Sequence, residues 1–290
     1  MINVLAEDRV FLNCGPVQMM LMARAHGLAM TAQLKEAAEY VIKLLSDLAE
    51  VQAKAKDGLT LNEADFSDYP LSLQLMVEAV LQAGDRTLTP MAAVAGTFAD
   101  LAADWLVGKG ASKVMINNGG DIAIRLLGKE KTKLGLTPSI ESLSYSHILS
   151  LTAEDGIGGV ATSGLGGRSF TKGIASAVTV VAKTARVADA CATLIANHCF
   201  AEDLGILRLP AEQLDPNTDI PGHLVTVKVG KLSLQTKTKS LENGLRKAIE
   251  LRSQGHIHGA VIFLDDLVVM IPENLCQRAK FEGGTKNGNS

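Results

Sequence analysis

The chain is poor in the side chains that most nucleic-acid-binding proteins use. Aromatic residues make up only 4% of its 290 residues, with a single Trp, so we expect no stacking platform for single-stranded nucleic acid. The 31 acidic residues outnumber the 28 basic ones, which gives a formal net charge of −3. No basic block stands out along the chain. The composition therefore predicts no nucleic-acid partner.

Paired cysteines, a secretion leader and a long apolar run are also missing. None of the four cysteines forms a C-x-x-C pair, and Cys191 and Cys199 would lie about 12 Å apart on one helix, too far for a disulfide. The first ten residues have mixed charges in place of a basic start and an apolar core. No run of about 20 apolar residues predicts a transmembrane helix. These features predict a reduced, cytoplasmic protein with no membrane partner.

Apolar residues make up 47% of the chain and charged residues 20%, enough for a sizeable buried core. Apolar residues with helical spacing predict a helix over Thr31–Ala55, with Thr31 as its N-cap. A second helix is expected over Leu71–Gln82, after Pro70. A third should begin at Pro90 and continue to Leu106, since proline is favoured at the first helical position.

The last third of the chain predicts a mixture of strands and helix. Leu224–Val229 and Lys231–Thr236 have the pattern of a hairpin about Gly230. Leu241–Ser253 has the apolar spacing of a helix. His256–Phe263 and Leu267–Ile271 have the pattern of a closing strand pair.

A glycine-rich segment over residues 158–169 is the feature around which we interpret the rest. It contains five glycines in ten residues, so its backbone can adopt positive φ angles and approach a ligand closely. Ser163, Arg168 and Ser169 add hydroxyl groups and a fixed positive charge. Backbone N–H groups and a guanidinium are suitable donors for phosphate oxygens. The segment therefore predicts a loop that binds a phosphorylated ligand.

Asp189 and Thr193 follow this loop with a spacing of four residues. On a helix both oxygens project from one face, where they could supply part of the shell of a hard cation such as Mg²⁺. The spacing alone favours a structural alternative. Asp189 could sit in the first turn of its helix and Thr193 could bond a backbone carbonyl.

The cluster Asn117-Asn118-Gly119-Gly120-Asp121 lies between two apolar runs, Lys113–Ile116 and Ile122–Leu126. Local pattern alone indicates a hairpin turn.

Four ordered motifs together resemble the ApbE-like superfamily, whose characterised members are FAD:protein FMN transferases. Within it, the chain looks most like the uncharacterised cytoplasmic UPF branch. The motifs are Pro90-Met91-Ala92-Ala93-Val94-Ala95-Gly96, Asn117-Asn118-Gly119-Gly120-Asp121, Ala161-Thr162-Ser163-Gly164-Leu165-Gly166-Gly167-Arg168-Ser169 and Ala188-Asp189-Ala190-Cys191-Ala192-Thr193.

The resemblance implies an α+β fold in which mixed sheets and packed helices form one compact, two-lobed unit. The ApbE-like domain should cover residues 1–272, followed by a disordered tail over 273–290. By similarity, Asp189, Thr193 and the backbone carbonyl of Ala161 would bind Mg²⁺. A cleft for FAD or FMN would be lined by two groups of residues. These are Asn118, Gly119, Gly120 and Asp121 in the first group and Thr162, Ser163, Gly164, Gly166, Gly167, Arg168 and Ser169 in the second.

One departure from the family pattern bears on activity. Flavin transferases have a His after the Thr-Ser-Gly loop, whereas this chain has Phe170-Thr171-Lys172 there. The leading hypothesis is therefore a cytoplasmic protein that binds a flavin nucleotide with Mg²⁺, and flavin transfer or related phosphoryl chemistry is left open. One alternative is a non-catalytic flavin-binding module that serves a redox protein, and another is an enzyme for an unrelated phosphorylated or carboxylated ligand. A homodimer is also left open.

Overall fold

The computed structural model describes residues 1–57, 66–139, 142 and 144–279. The strands are β1 (Ile2–Ala6), β2 (Arg9–Cys14), β3 (Val17–Ala25), β4 (Leu28–Ala29), β5 (Lys113–Asn118), β6 (Asp121–Leu126), β7 (Lys131–Leu136), β8 (His147–Thr152), β9 (Gly159–Ser163), β10 (Ala177–Ala182), β11 (Ile206–Pro210), β12 (Leu224–Val229), β13 (Gly259–Leu264), β14 (Leu267–Ile271) and β15 (Gln277–Arg278). The α-helices are α1 (Thr31–Glu50), α2 (Gln52–Ala55), α3 (Leu71–Ala83), α4 (Val94–Gly108), α5 (Ala185–His198), α6 (Ala211–Leu214) and α7 (Leu234–Ser253). Pro90–Ala93 and Ala153–Asp155 form short 3₁₀ turns.

One large antiparallel sheet organises the molecule. Its ten strands run in the order β1-β2-β3-β5-β6-β9-β10-β13-β14, and β4 pairs with β3. A three-stranded sheet has the order β15-β8-β7, and β11 pairs with β12 in a separate two-stranded sheet. The fold is therefore α+β, as the resemblance implied.

The central strands of the large sheet are buried on both faces. In β10, Val178 and Val180 enter the core beneath the helices, whereas Ala177 and Val181 face a second core shared with β7 and β8. Because successive side chains of a strand point to opposite faces, a strand covered on both sides becomes continuously apolar. Helices α4 and α5 lie on the helical face of this region, against β5, β6, β9 and β10.

The segment Pro90–Gly108 is long and apolar enough to span a membrane by length and composition alone. In the fold it packs between the sheet and the neighbouring helices α1 and α5. Its side chains Phe98, Leu101 and Leu106 are buried in the main core. The segment is thus accounted for as a core helix.

The predicted ends of α3 are confirmed, but the helix predicted over Thr31–Ala55 is divided into α1 and α2, and two predicted helix starts are wrong. Pro70 precedes α3, and Gly84 ends it in the left-handed conformation. Thr31 is not the N-cap of α1: Met30 takes that position, and the Thr31 hydroxyl donates to the carbonyl of Glu7. Pro90 begins a 3₁₀ turn, and α4 starts only at Val94.

The predicted hairpin about Gly230 is also wrong. Strand β12 exists, but its partner is β11. Residues 231–236 do not form a strand, because Ser233 caps the start of α7, and its Oγ accepts the backbone N–H of Thr236 at 3.0 Å. Helix α7 therefore begins seven residues before the predicted Leu241, and the next strand begins at Gly259 rather than His256.

The predicted boundary at residue 272 falls within ordered structure. Gln277 and Arg278 form β15, which pairs with β8. Residues 280–290 of the predicted tail lie outside the described residues.

Candidate functional site

The turn between β5 and β6 is a two-residue hairpin turn. Asn118 pairs with Asp121 across the two strands, and Gly119 and Gly120 have φ angles of 71° and 113°. Positive φ at both central residues is the geometry that favours glycine in such turns. The hairpin prediction is confirmed, and this turn also fixes the position of Asp121.

Buried hydrogen bonds join this turn to the start of α4 and to β9. The Asn118 side chain is buried, and its Nδ2 donates to the carbonyl of Ala95 at 3.2 Å. The Asp121 Oδ1 accepts the backbone N–H of Thr162 at 3.3 Å. The Thr162 hydroxyl lies 2.9 Å from that of Thr179 on β10. Asn118, Asp121 and Thr162, predicted as ligand-lining residues, are therefore brought together.

Asp189 lies on α5, but its hydrogen-bond partner belongs to α4. Its Oδ2 accepts the backbone N–H of Gly96 at 2.9 Å, and this N–H belongs to the first turn of α4, where intrahelical acceptors are lacking. Asp189 is the fifth residue of α5, so it does not occupy the first turn of its own helix. The structural alternative from the sequence is therefore wrong in its detail, since the carboxylate stabilises the N-terminus of a neighbouring helix.

The carboxyl groups of Asp121 and Asp189 influence each other. Burial raises the pKa of Asp121 to about 7. Burial also raises the pKa of Asp189 well above its usual value, and the negative charge of Asp121 raises it further, against the hydrogen bonds from Gly96 and Ala95. Two partly buried acids with raised pKa values form a site that a cation would stabilise.

The residues near this acidic pair carry oxygen groups of the kinds that a hard divalent cation takes. Within the described ranges, no three His, Cys, Asp or Glu side chains cluster as a metal site. A cation here would need further oxygens, and Thr193 lies one turn beyond Asp189 on α5. Ala161 lies on β9, against which α5 packs. Carboxylate, hydroxyl and carbonyl oxygens are the ligand types that Mg²⁺ accepts, with ligand phosphates and water completing its shell.

Two glycines allow the unusually close approach of α4, α5 and β9. A Cβ atom added to Gly96 would lie 2.3 Å from the carbonyl oxygen of Ala185. One added to Gly159 would lie 2.2 Å from the backbone nitrogen of Ala185. The start of α5 therefore packs closely between β9 and α4. This packing brings Asp189 to the first turn of α4.

Asp100 is a key residue that the sequence reasoning missed. It is fully buried in the middle of α4, and it accepts the backbone N–H groups of Ala185 and Arg186 at 3.1 and 3.0 Å. It also pairs with the guanidinium groups of Arg125 at 2.9 Å and Arg186 at 3.2 Å. The one available signal was the presence of two aspartates, Asp100 and Asp104, in a mostly apolar helix. Asp100 holds the N-terminus of α5, and Asp189 in return holds that of α4.

The glycine-rich loop lies next to this pair of helices. Gly164 is buried with a φ of 144°, and Gly166 has a φ of 79°. The loop is closed by the Leu165 N–H, which donates to the carbonyl of Ala175 at 2.9 Å, and by the Gly167 N–H, which donates to Gly164 at 3.3 Å. These bonds close the loop on itself, and the positive φ angles of Gly164 and Gly166 require glycine at both positions.

Arg168 and Ser169 at the end of this loop are exposed. The Arg168 guanidinium donates to the side chain of Gln18 and, at 3.5 Å, to the carbonyl of Pro16. It also lies over Gly119, where an added Cβ would be 3.5 Å from Nη1. Arg168 thus connects the glycine-rich loop with the turn at Gly119, and both predicted ligand-lining segments meet there.

No histidine occupies the segment after the loop, where Lys172 stands. Its Nζ donates to the Thr87 hydroxyl at 3.3 Å, and burial lowers the pKa of the amine, against the opposing charge of Asp85. His198 bonds the carbonyl of Leu194 within α5. His147 lies on β8, beside Phe263. Neither histidine follows the loop in the way that the transferase pattern requires.

Comparison with known proteins gives a family match along most of the chain. A sequence model of the family described as AbpE bacteria matches residues 2–274. A UPF0280 protein of Methanococcus maripaludis strain C7 is 34% identical over 190 residues, which cover 63% of this chain and 74% of that protein. A UPF0280 protein of Methanothermobacter thermautotrophicus is 41% identical over 138 residues, which cover 47% of this chain and 52% of that protein.

Solved structures that match the chain include ApbE proteins. A variant of flavin transferase ApbE from Vibrio cholerae has a TM-score of 0.47 at 14% identity, covering 90% of this chain and 96% of its own. The ApbE protein of Thermotoga maritima has a TM-score of 0.43 at 13% identity, covering 93% and 95%. The family assignment rests on the sequence matches.

The α+β fold and the meeting of the four motifs agree with an ApbE-like class, which the sequence match over residues 2–274 shows. The chain belongs to the family described as AbpE bacteria. Its UPF0280 relatives confirm the branch to which the sequence motifs pointed.

Proposed function

We propose that this protein binds a flavin nucleotide, FAD or FMN, with the help of Mg²⁺. The observation that carries the proposal is the pair of carboxyl groups of Asp121 and Asp189, whose pKa values are both raised beside a glycine-rich loop. Two partly buried acids are unfavourable as a bare pair and favourable around a cation. The family match, and the flavin transferase activity named for the related solved structures, supply the ligand class.

In this proposal the chain itself supplies the site for both the cation and the phosphates. Asp189, Thr193 and the carbonyl of Ala161 would hold Mg²⁺, and Asp121 would balance its charge from the opposite side. When bound, Mg²⁺ would neutralise phosphate charge. The glycine-rich loop would contribute backbone N–H groups, and Arg168 and Ser169 would contribute side-chain donors at its exposed end. Asn118, Gly119 and Gly120 would form the facing wall.

Calorimetric titration of the purified protein with FAD tests this function. We expect saturable binding in Mg²⁺ and weaker binding in EDTA, because the two carboxylates then meet the phosphates without a cation between them. The absence of saturable FAD binding both in Mg²⁺ and in EDTA would contradict the proposal.

A second candidate is a non-catalytic flavin-binding module that serves a redox protein in the cytoplasm. The observation in its favour is the sequence Phe170-Thr171-Lys172 in place of the histidine segment of the transferases. Steady conversion of FAD to FMN and AMP would rule out this second candidate, since only an enzyme would show turnover.

A further inference from the structure

A second group of polar side chains lies near the other end of α5. Lys172 donates its backbone N–H to Oδ1 of Asn197 at 2.9 Å. Asn197 comes eight residues after Asp189 on α5, about 12 Å further along the helix axis. This second group is therefore separate from the acidic pair, although one helix connects them.

Hydrogen bonds from β12 fix the backbone around Lys172. The Thr226 N–H donates to the carbonyl of Thr171 at 2.8 Å, and the Thr226 hydroxyl donates to the carbonyl of Lys172 at 3.3 Å. Arg208 on β11 is the register partner of Thr226. Residues directly opposite each other in an antiparallel pair project to the same side. The strand pair thus brings Arg208 towards Lys172.

The Lys172 amine is held in place without an ion pair. Its Nζ donates to the Thr87 hydroxyl at 3.3 Å, and an ammonium group has three donors. Across the described ranges, none of the ion pairs includes Lys172 or Arg208. A partly buried lysine with spare donors and no carboxylate partner can accept an anion.

Arg208 also keeps donors available. Its Nη2 donates to the carbonyl of Leu224 at 2.8 Å, and its guanidinium carbon lies 4.4 Å from the ring centre of Phe200. The Nε atom is buried and has no hydrogen-bond partner. A guanidinium carries five donors in a planar fork that matches an oxyanion. The aromatic ring would keep that fork oriented.

Two acidic groups lie near Lys172, and one oxygen of each accepts a hydrogen bond from the segment 87–89. Asp85 accepts the backbone N–H of Thr87 at 2.7 Å, and Asp219 accepts the hydroxyl of Thr89. Burial lowers the pKa of Lys172 and so does the nearby positive charge of Arg208, whereas the two acids act in the opposite direction. These acids hold the segment that presents the Thr87 hydroxyl.

We propose that Lys172, Arg208 and Thr87 form an oxyanion subsite that takes a phosphate group. An ammonium, a guanidinium and a hydroxyl, contributed by three separate segments, would surround the phosphate oxygens. The subsite does not require flavin or a cation, so it stands apart from the proposed function. Its occupant is either free phosphate or pyrophosphate, or a phosphate of a nucleotide that also reaches the acidic pair.

Titration of the full chain with inorganic pyrophosphate in EDTA tests the subsite in the absence of flavin and metal. We expect saturable binding and a rise in the thermal midpoint. Lys172→Gln and Arg208→Gln should each weaken binding about tenfold or more, because each removes a charge-assisted hydrogen bond. Lys172→Arg should retain most of the affinity.

Lys35→Gln is the matched control, since it removes the same charge from an exposed position on α1. Far-UV circular dichroism checks that each variant is folded. Wild-type protein without saturable binding, or equal binding by Lys172→Gln and Lys35→Gln, would overturn the proposal. Competition between pyrophosphate and FMN, with riboflavin as the control, would identify a nucleotide phosphate as the occupant. Binding without competition would identify the free anion.

Discussion

The backbone N–H of Gly96 donates to Oδ2 of Asp189 across a distance of 2.9 Å. This contact joins the first turn of α4 to the second turn of α5. Asp100 makes the reverse connection, from α4 to the first backbone N–H groups of α5. Asp189 and Asp100 therefore connect α4 and α5 in both directions. The proposed cation site depends on the position of these two helices.

Gly96→Ala should destabilise the protein because the new Cβ would lie 2.3 Å from the carbonyl oxygen of Ala185. Overpacking of this kind costs about 1–3 kcal/mol, and the helices must separate to relieve it. Chemical denaturation measures the change in the free energy of unfolding. Gly108→Ala, at the end of the same helix, meets nothing within 4 Å and should be neutral or slightly stabilising. Equal effects of the two substitutions would show that the close approach is unimportant.

Stability should fall as the pH rises through the range in which Asp121 titrates. Its folded pKa is about 7, above the ordinary value of 3.8, so the folded state binds more protons than the unfolded state between these values. The stabilisation that Asp121 contributes through this difference is fully present below about pH 4 and is lost as the pH rises through 7. Asp121→Asn should flatten this dependence in metal-free buffer. An identical pH profile for the variant and the wild type would contradict the prediction.

The local parts of this site could be predicted from the sequence. The two-residue turn at Gly119-Gly120 follows from short-range steric rules, and so does the left-handed end of α3 at Gly84. The pairing of β11 with β12 depends on partners distant in the chain, which no local pattern specifies. Asp100 was missed because its partners, Arg125 and the N-terminus of α5, are also brought to it only by the fold. The Ser233 cap was overlooked because the residues around it also alternate like a strand.

Arg168→Gln should weaken the binding of FAD more than that of riboflavin, which has no phosphate. The guanidinium lies beside Gly119, at the junction of the two ligand-lining segments. Loss of a charge-assisted hydrogen bond to phosphate should reduce FAD affinity about tenfold. Fluorescence titration with both ligands makes the comparison. Arg246→Gln, at an exposed position on α7, is the control for the change in charge, and equal losses for FAD and riboflavin would show that Arg168 does not bind phosphate.

Covalent attachment of FMN to an acceptor Ser or Thr should not occur by the usual transferase route. A positioned base typically contributes about 10²–10⁴-fold to such a step, and the segment after the loop offers Lys172 where the transferases have His. Incubation with FAD, Mg²⁺ and a flavoprotein acceptor, followed by in-gel flavin fluorescence, tests this directly. A fluorescent band that disappears in Asp189→Ala would refute the prediction and establish the standard family activity.

The most direct test of the central claim is the Mg²⁺ dependence of FAD binding in Asp189→Asn. The amide keeps an oxygen for the Gly96 N–H but lacks the charge that would hold a cation. Calorimetry should show tighter FAD binding in Mg²⁺ than in EDTA for the wild type and for Asp266→Asn, a control in the exposed turn between β13 and β14. Asp189→Asn should bind FAD with the same affinity in both conditions while its free energy of unfolding shows that it is folded. A wild type indifferent to Mg²⁺, or an Asp189→Asn variant that keeps the full Mg²⁺ effect, would contradict the account.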